Sequence, residues 1–173
     1  MRYPVSLIAV LILLSLATVG CGSSSTSSAG QAAAGSGGAT STTKFAKTKF
    51  VLHAGLAFGA FHRWIYKPAK AGELSHPLQH KLTTLKAALA AAFVYHELKL
   101  ALADAQADPT LSKLVAPVTA LQDKFHALAG SVKSGGVSSA DVSGLASTIS
   151  SIKDQAASAG QSITEQTPAT PSG

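Results

Sequence analysis

The apolar residues in the second half of this chain have the spacing of residues on one face of an α-helix. They recur at intervals of three and four in two successive sets: Leu111, Leu114, Val118, Leu121, Phe125, Leu128 and Val132, then Val142, Leu145, Ile149, Ile152 and Ala156. A helix with 3.6 residues per turn gathers such positions on one side. Because no stretch alternates apolar and polar residues in a sustained way, a β-sheet has no support and we predict an all-α fold.

Turn and capping residues divide the body, residues 44–160, into four predicted helices. Proline stands at a favoured first helical position in His76-Pro77 and Asp108-Pro109, and Ser138 with Asp141 has the spacing of a capping box. Helix-ending residues stand at Lys67-Pro68, Gly135-Gly136 and Gly160. Since the predicted connections are short, the sequence favours an up-and-down four-helix bundle after a disordered N-terminal tether.

The first two predicted helices carry apolar and small residues in patterns of their own. In the second, a helical row predicts a buried face and places His96 where leucine is expected; the row is Leu78, Leu82, Leu85, Leu89, Ala92, His96, Leu100 and Ala103. The first is apolar on nearly every side and contains Gly55 and Gly59 as a GxxxG pair. With the alanines of the second helix, this pair predicts close helix–helix packing.

Residues 1–20 have the anatomy of a secretory signal peptide. Arg2 gives a positive start, an apolar run extends from Val5 to Leu16, and small residues follow up to Gly20. A membrane-spanning helix needs roughly 20 apolar residues, so this run is too short for a permanent transmembrane anchor.

The four residues Thr18, Val19, Gly20 and Cys21 resemble the lipobox of bacterial lipoproteins. The resemblance implies a diacylglyceryl group on the Cys21 thiol, cleavage between Gly20 and Cys21, and acylation, for example by palmitate, of the new amino terminus. Two or more acyl chains anchor a protein stably. We therefore expect a lipid-anchored protein on the extracytoplasmic face of the cell membrane; a cleaved signal with a free thiol is the alternative. Because Cys21 is the only cysteine, a framework of disulfides within the chain and cysteine-rich zinc sites are excluded.

The segments on either side of the body are rich in small and polar residues. Residues 21–43 contain no charge, no aromatic residue and, after Cys21, no aliphatic side chain larger than alanine, which predicts a flexible tether with a reach of about 25 Å. Residues 161–173 are rich in Ser, Thr and Pro and are predicted to be a disordered tail.

Basic residues are concentrated in the part of the body that follows the tether. Residues 44–99 hold nine Lys or Arg and two Glu, whereas residues 100–173 hold four Lys and six acids. We predict contact with anionic lipid or wall polymer through Lys44, Lys47, Lys49, Arg63, Trp64, Lys67 and Lys70. The alternative is that these residues are only solvated helix rims. Nucleic acid is a poor partner, because export separates the protein from it.

The histidines are the only candidates for a cofactor site. His53 and His62, nine residues apart, fall on opposite faces of one helix and cannot share a metal ion. One hypothesis is a haem or metal site formed by His96 with His62 or His126; the other is that His96 is hydrogen-bonded to Glu97, Tyr95 or a backbone carbonyl. We predict no cofactor. No GxSxG or paired-carboxylate motif is present, so a non-enzymatic binding or structural module is favoured.

Overall fold

The computed structural model describes residues 39–134 and 136–173. The predicted signal peptide, the lipobox with Cys21 and the tether up to residue 38 lie outside the described residues. In the described part the fold is all-α, and no strand occurs there. Four long helices make up most of it: α1 (Ala39–Phe61), α3 (Lys81–Ala107), α4 (Ser112–Ser134) and α5 (Ser139–Ser158).

Short helical segments connect the long helices. A π-helical turn (His62–Tyr66) and the short helix α2 (Lys67–Lys70) follow α1, and 3₁₀ turns occupy Glu73–Ser75 and Pro109–Leu111. Gly72 ends α2 with a φ of +79°, a backbone conformation that glycine adopts without strain. Three predicted boundaries are wrong. Helical structure does not end at Lys67-Pro68, because α2 contains both residues. Residues 39–43, assigned to the tether, are helical, and α3 begins at Lys81 because residues 77–80 form turns after His76.

The predicted helix caps are present at α4 and α5. Asp108 accepts a hydrogen bond from the Thr110 backbone N–H at 2.8 Å. Ser138 and Asp141 form a capping box, in which the Asp141 N–H donates to Ser138 Oγ at 3.1 Å and the Ser138 N–H donates to the Asp141 carboxylate at 3.2 Å. These bonds satisfy backbone groups that a helix start leaves unpaired.

The helices pack as a bundle around one hydrophobic core. α1 packs against α3, α3 against α4, and α4 against α5, which also contacts the π-helical turn. Every member of the two apolar sets on α4 and α5 is buried, as their spacing predicts. The Phe61 and Phe125 rings, from α1 and α4, meet edge to face with centroids 5.4 Å apart.

The buried face predicted for α3 is wrong. Its leucine row is exposed to solvent. The exposed fraction of the residue is 82% for Leu78, 66% for Leu82, 56% for Leu85 and 44% for Leu89. The face that packs against α1 and α4 is rich in alanine instead, with Ala87, Ala90, Ala91, Val94, Leu98, Ala101 and Ala105 buried. Small side chains let helix axes approach closely, so the alanine face packs inward and the larger leucines stay at the surface.

The prediction of a disordered tail over residues 161–173 is also wrong, because this segment packs against the bundle. Ile163 and Pro168 are buried, and the Gln166 N–H donates to the Gly55 carbonyl oxygen at 2.9 Å. Gly55 and Gly59 face the backbone of Thr164 and Gln166. The predicted helix–helix role of the GxxxG pair is therefore wrong as well: the glycines make room for the tail.

Candidate interaction surface

The basic residues predicted to contact an anionic surface fall into two groups at opposite ends of α1. Lys44, Lys47 and Lys49 lie in its first half, and Arg63 follows its end. The 16 residues from Lys47 to Arg63 correspond to about 24 Å along a helix axis. One flat surface patch therefore does not include all of the predicted residues.

Two lysines of the first half of α1, Lys47 and Lys49, lie close to acidic residues at the C-terminal end of α3. Lys47 Nζ lies 4.0 Å from Asp108 Oδ2. Burial raises the pKa of Asp104, and the charge of nearby Lys49 opposes that rise. These acids are more than 50 residues away in the sequence, so a charge count along the chain could not show the pairing. Because their charge is offset, these lysines are weaker candidates for contact with an anion.

The group after α1 surrounds the single tryptophan. The guanidinium carbon of Arg63 lies 4.8 Å from the Trp64 ring centroid, and Lys86 Nζ lies 5.7 Å from it, both within the range of cation–π attraction. Lys86 belongs to α3 and was not among the predicted contact residues. Trp64 therefore joins the end of α1 to the first half of α3.

Basic and apolar residues are exposed together at this end of the bundle. The π-helical turn and the Glu73–Ser75 turn both pack on α3. Lys67, Lys70 and Lys81 are exposed beside them, as is the leucine row. We name this region the basic leucine surface, formed by Arg63, Lys67, Lys70, Lys81, Lys86, Leu78, Leu82, Leu85 and Leu89.

The charge of the basic leucine surface is almost entirely positive. Residues 62–89 contain five Lys or Arg and a single acid, Glu73. The other acids of the described part lie on the second half of α3, at Asp108 directly after it, on α4 and α5, and in the tail. This surface therefore combines unneutralised cations with exposed leucine, which is the composition of a face that binds an anionic, partly apolar partner.

His53 lies close to two carboxylates, and the sequence did not predict either contact. His53 Nδ1 lies 2.7 Å from Glu97 Oε2, and His53 Nε2 lies 3.9 Å from Asp104 Oδ2. Glu97, considered as a partner of His96, thus joins α3 to α1. Burial raises the pKa of Asp104, although the charges of His53 and Lys49 oppose that shift.

His62 takes part in a second polar cluster that attaches the tail. Its Nδ1 lies 3.0 Å from Glu165 Oε2, while Lys153 of α5 donates to Glu165 Oε1 at 2.9 Å. Burial of Glu165 acts to raise its pKa, but the bonds and charges of Lys153 and His62 outweigh burial and lower the pKa from its ordinary value. One carboxylate of the tail therefore bonds to two separate elements of the bundle.

The core position predicted for His96 is wrong, because its side chain is exposed. His126 is also exposed, and its ring lies 5.7 Å from that of Tyr95. Among residues 39–134 and 136–173, no three His, Cys, Asp or Glu side chains are grouped as metal ligands. The haem or metal hypothesis stays a prediction, but it has lost its premise of a core histidine on α3.

A small cavity adjoins the His62 cluster. It has a volume of about 240 Å³ and lies between Phe58, Phe61 and Tyr66 on one side and Ile149 of α5 on the other, with Glu165 at its edge. Ligand pockets usually occupy roughly 300–1,000 Å³. The cavity is smaller than that range, and its charged groups already bond to one another.

The chain matches no family model, no curated protein and no solved structure. Of the helices that the structure describes, none is both long enough and apolar enough to cross a bilayer.

Proposed function

We propose that this protein is a lipid-anchored, non-enzymatic module of the bacterial cell envelope that binds a phosphate-bearing anionic surface. Its body is an up-and-down four-helix bundle in which each long helix packs against the next. Lipid on Cys21 holds the chain at the extracytoplasmic face of the membrane, and the basic leucine surface makes the contact. Phospholipid headgroups and wall polymers are two sources of the same phosphate chemistry.

The observation that carries this proposal is the gathering of five cations and one acid at one end of the bundle. Near an anionic membrane each Lys or Arg contributes about 1 kcal/mol, so the set provides moderate, reversible binding. A lipid anchor keeps the body within reach of the surface, and the resulting high local concentration makes moderate binding effective.

The polar clusters elsewhere support a structural rather than a catalytic role. His53 and Glu97 join α1 to α3, and Glu165 joins the tail to the π-helical turn and α5. In both clusters the charged groups are occupied by one another. These side chains therefore contribute to holding elements together.

Binding of the unlipidated chain, residues 22–173, to two polyanions tests the proposal. This chain keeps every core residue, since the core lies between Ala46 and Ile163. Co-sedimentation with vesicles of phosphatidylglycerol and phosphatidylcholine, and binding to inorganic polyphosphate, would each be measured at low and high salt. We expect binding to both at low salt and weaker binding at high salt, because salt screens the attraction.

A matched pair of variants assigns the binding to the surface. Lys67→Gln/Lys70→Gln/Lys81→Gln removes three charges from it, and Lys99→Gln/Lys113→Gln/Lys124→Gln removes three from elsewhere. We expect the first variant to weaken vesicle binding about tenfold or more and the second to weaken it much less. Absence of binding to both polyanions, or an equal loss in the two variants, would contradict the proposal.

A further inference from the structure

The leucine row of α3 is the largest apolar feature that the helices leave at the surface. Leu82, Leu85 and Leu89 follow one another at helical spacing, and Leu78 precedes them in the turn before α3. Clusters of exposed apolar side chains with a polar rim mark contact sites. The row is therefore suited to contact with a partner that has an apolar region of its own.

The lysines flank this row rather than interrupt it. At about 100° per residue, Leu85 and Leu89 lie within about 60° of Leu82 around α3, Lys86 lies about 40° away on one side, and Lys81 lies about 100° away on the other. An apolar strip between two cationic edges is the arrangement of a helix that lies in a membrane interface. Its leucines reach the acyl chains while its lysines meet the headgroups.

We infer that the leucine row inserts into the interfacial layer of an anionic bilayer, so that the body rests on the membrane by this end. The inference rests on the proposed function and selects a lipid surface over a wall polymer as the partner. A polyphosphate-like polymer neutralises the lysines but offers no apolar phase to the leucines. A bilayer supplies both.

Two other occupants fit the observations less well. A second copy docked by the same face would oppose five cations to five cations, with only Glu73 of each chain to offset them. The segment 22–38 of the same chain contains only Gly, Ser, Thr, Ala and Gln and has no large apolar side chain to cover the leucines. In the described part, the tail reaches α3 at Phe93, where Gly173 lies against the ring, beyond Leu89.

A single tryptophan placed in the row reports insertion directly. In the 22–173 chain, Trp64→Phe/Leu85→Trp puts the reporter in the row, and Trp64→Phe/Ala120→Trp puts it on an exposed position of α4. With phosphatidylglycerol-containing vesicles, we expect a blue shift for the first reporter and quenching by bromine-labelled acyl chains, with neither for the second. Polyphosphate is expected to shift neither.

Leucine substitutions provide the second measurement. Leu82→Ser/Leu85→Ser is expected to weaken vesicle binding about tenfold or more and to weaken polyphosphate binding much less, because polyphosphate contacts the lysines of the surface. The matched control is Phe45→Ser/Leu52→Ser, which removes two exposed apolar side chains from α1 and is expected to leave both unchanged. Circular dichroism confirms that each variant folds, and the reporter experiment keeps all leucines but one.

The outcomes separate this inference from the proposed function. Binding to both polyanions with no shift at Leu85→Trp and no effect of the serine variant would overturn the inference and leave the proposed function intact. Failure to bind either polyanion would overturn both. Self-association in sedimentation that Leu82→Ser/Leu85→Ser abolishes, without any shift on vesicles, would identify a second copy as the occupant and overturn the inference.

Discussion

Gly55 and Gly59 matter in this chain because a backbone, and not another helix, approaches them. A Cβ atom at Gly59 would overlap the backbone of Gln166, and one at Gly55 would lie 2.5 Å from the Thr164 carbonyl oxygen. A methyl group at either position cannot be accommodated by a side-chain rotation, since the opposing atoms belong to the main chain. The two glycines therefore determine where the tail crosses α1.

Substitution of Gly59 by alanine is expected to displace the tail and leave the helices in place. The change favours helix α1 by about 1 kcal/mol, but loss of the docked tail exposes Ile163, whose burial contributes roughly 1.5–3 kcal/mol. We expect a net decrease in the free energy of unfolding and faster hydrogen exchange at the Gln166 amide. Chemical denaturation and hydrogen–deuterium exchange measure the two effects.

Gly130→Ala is the matched control for that prediction. Gly130 is exposed inside α4, and a Cβ there meets nothing within 4 Å. This variant should raise the free energy of unfolding by about 0.5–1 kcal/mol through helix propensity alone. If Gly59→Ala stabilises the protein to the same extent and leaves the tail protected, the close approach of tail and α1 does not contribute to the fold.

Among the elements, the buried faces of α4 and α5 could be predicted from the sequence, whereas for α3 only the helix itself and not its buried face could be predicted. Large apolar residues on α4 and α5 lie on one face, so burying that face removes the most apolar area from water. On α3 the leucines and alanines form two separate apolar faces, and α1, itself apolar nearly all round, packs against the smaller residues. The sequence shows which residues of α3 are large and which are small. Which of its two apolar faces is buried, however, depends on the shape of α1.

Only part of the basic leucine surface could be predicted, because the choice of the buried face of α3 also decides which of its residues are exposed. The run from Arg63 to Lys70 is local, so its residues stay together in the structure. The alanine face of α3 packs inward, and only for that reason are Lys81, Lys86 and the leucine row at the surface near that run. One sequence signal could have indicated which face of α3 is buried. This signal is the helical spacing of its alanines Ala87, Ala90, Ala91, Ala101 and Ala105.

Docking of the tail is expected to depend on pH through Glu165. Lys153 and His62 lower the pKa of this carboxyl against the effect of burial. Because the pKa of Glu165 is lowered in the folded state, its ionised carboxylate stabilises the docked tail above the ordinary pKa of 4.5. This stabilisation is lost as the pH falls through the lowered pKa. We expect the tail to remain docked near neutral pH and to loosen in acid before the helices unfold.

Hydrogen exchange at the Gln166 amide, which bonds to the Gly55 carbonyl, measures this loosening between pH 7 and pH 3. Glu165→Gln should weaken protection at pH 7 several-fold and remove most of the acid-dependent step, whereas Glu73→Gln, outside the cluster, should leave both unchanged. The same acid-dependent step in Glu165→Gln and in the unaltered chain would show that another group controls the tail.

At the scale of the whole molecule, the proposed function predicts two attachments of different physical kind for the same body. The lipid predicted on Cys21 contributes about 0.8 kcal/mol per buried methylene, a term that salt does not weaken. The cations of the basic leucine surface contribute an electrostatic term that salt screens, with a Debye length of about 3 Å at about 1 M. Washing membranes at low and high salt therefore separates the two.

We expect the full-length protein to remain with membranes at both salt levels and its intact mass to show loss of residues 1–20 and a gain of acyl chains. Cys21→Ser removes the acylated atom, so this variant should be retained in part at low salt and released at high salt. Its intact mass must also be measured, because an uncleaved signal peptide would hold the chain by its apolar run and mimic the lipid. If the unaltered protein keeps residues 1–20, carries no lipid and resists the high-salt wash, the signal peptide is the anchor, and the lipoprotein assignment is wrong.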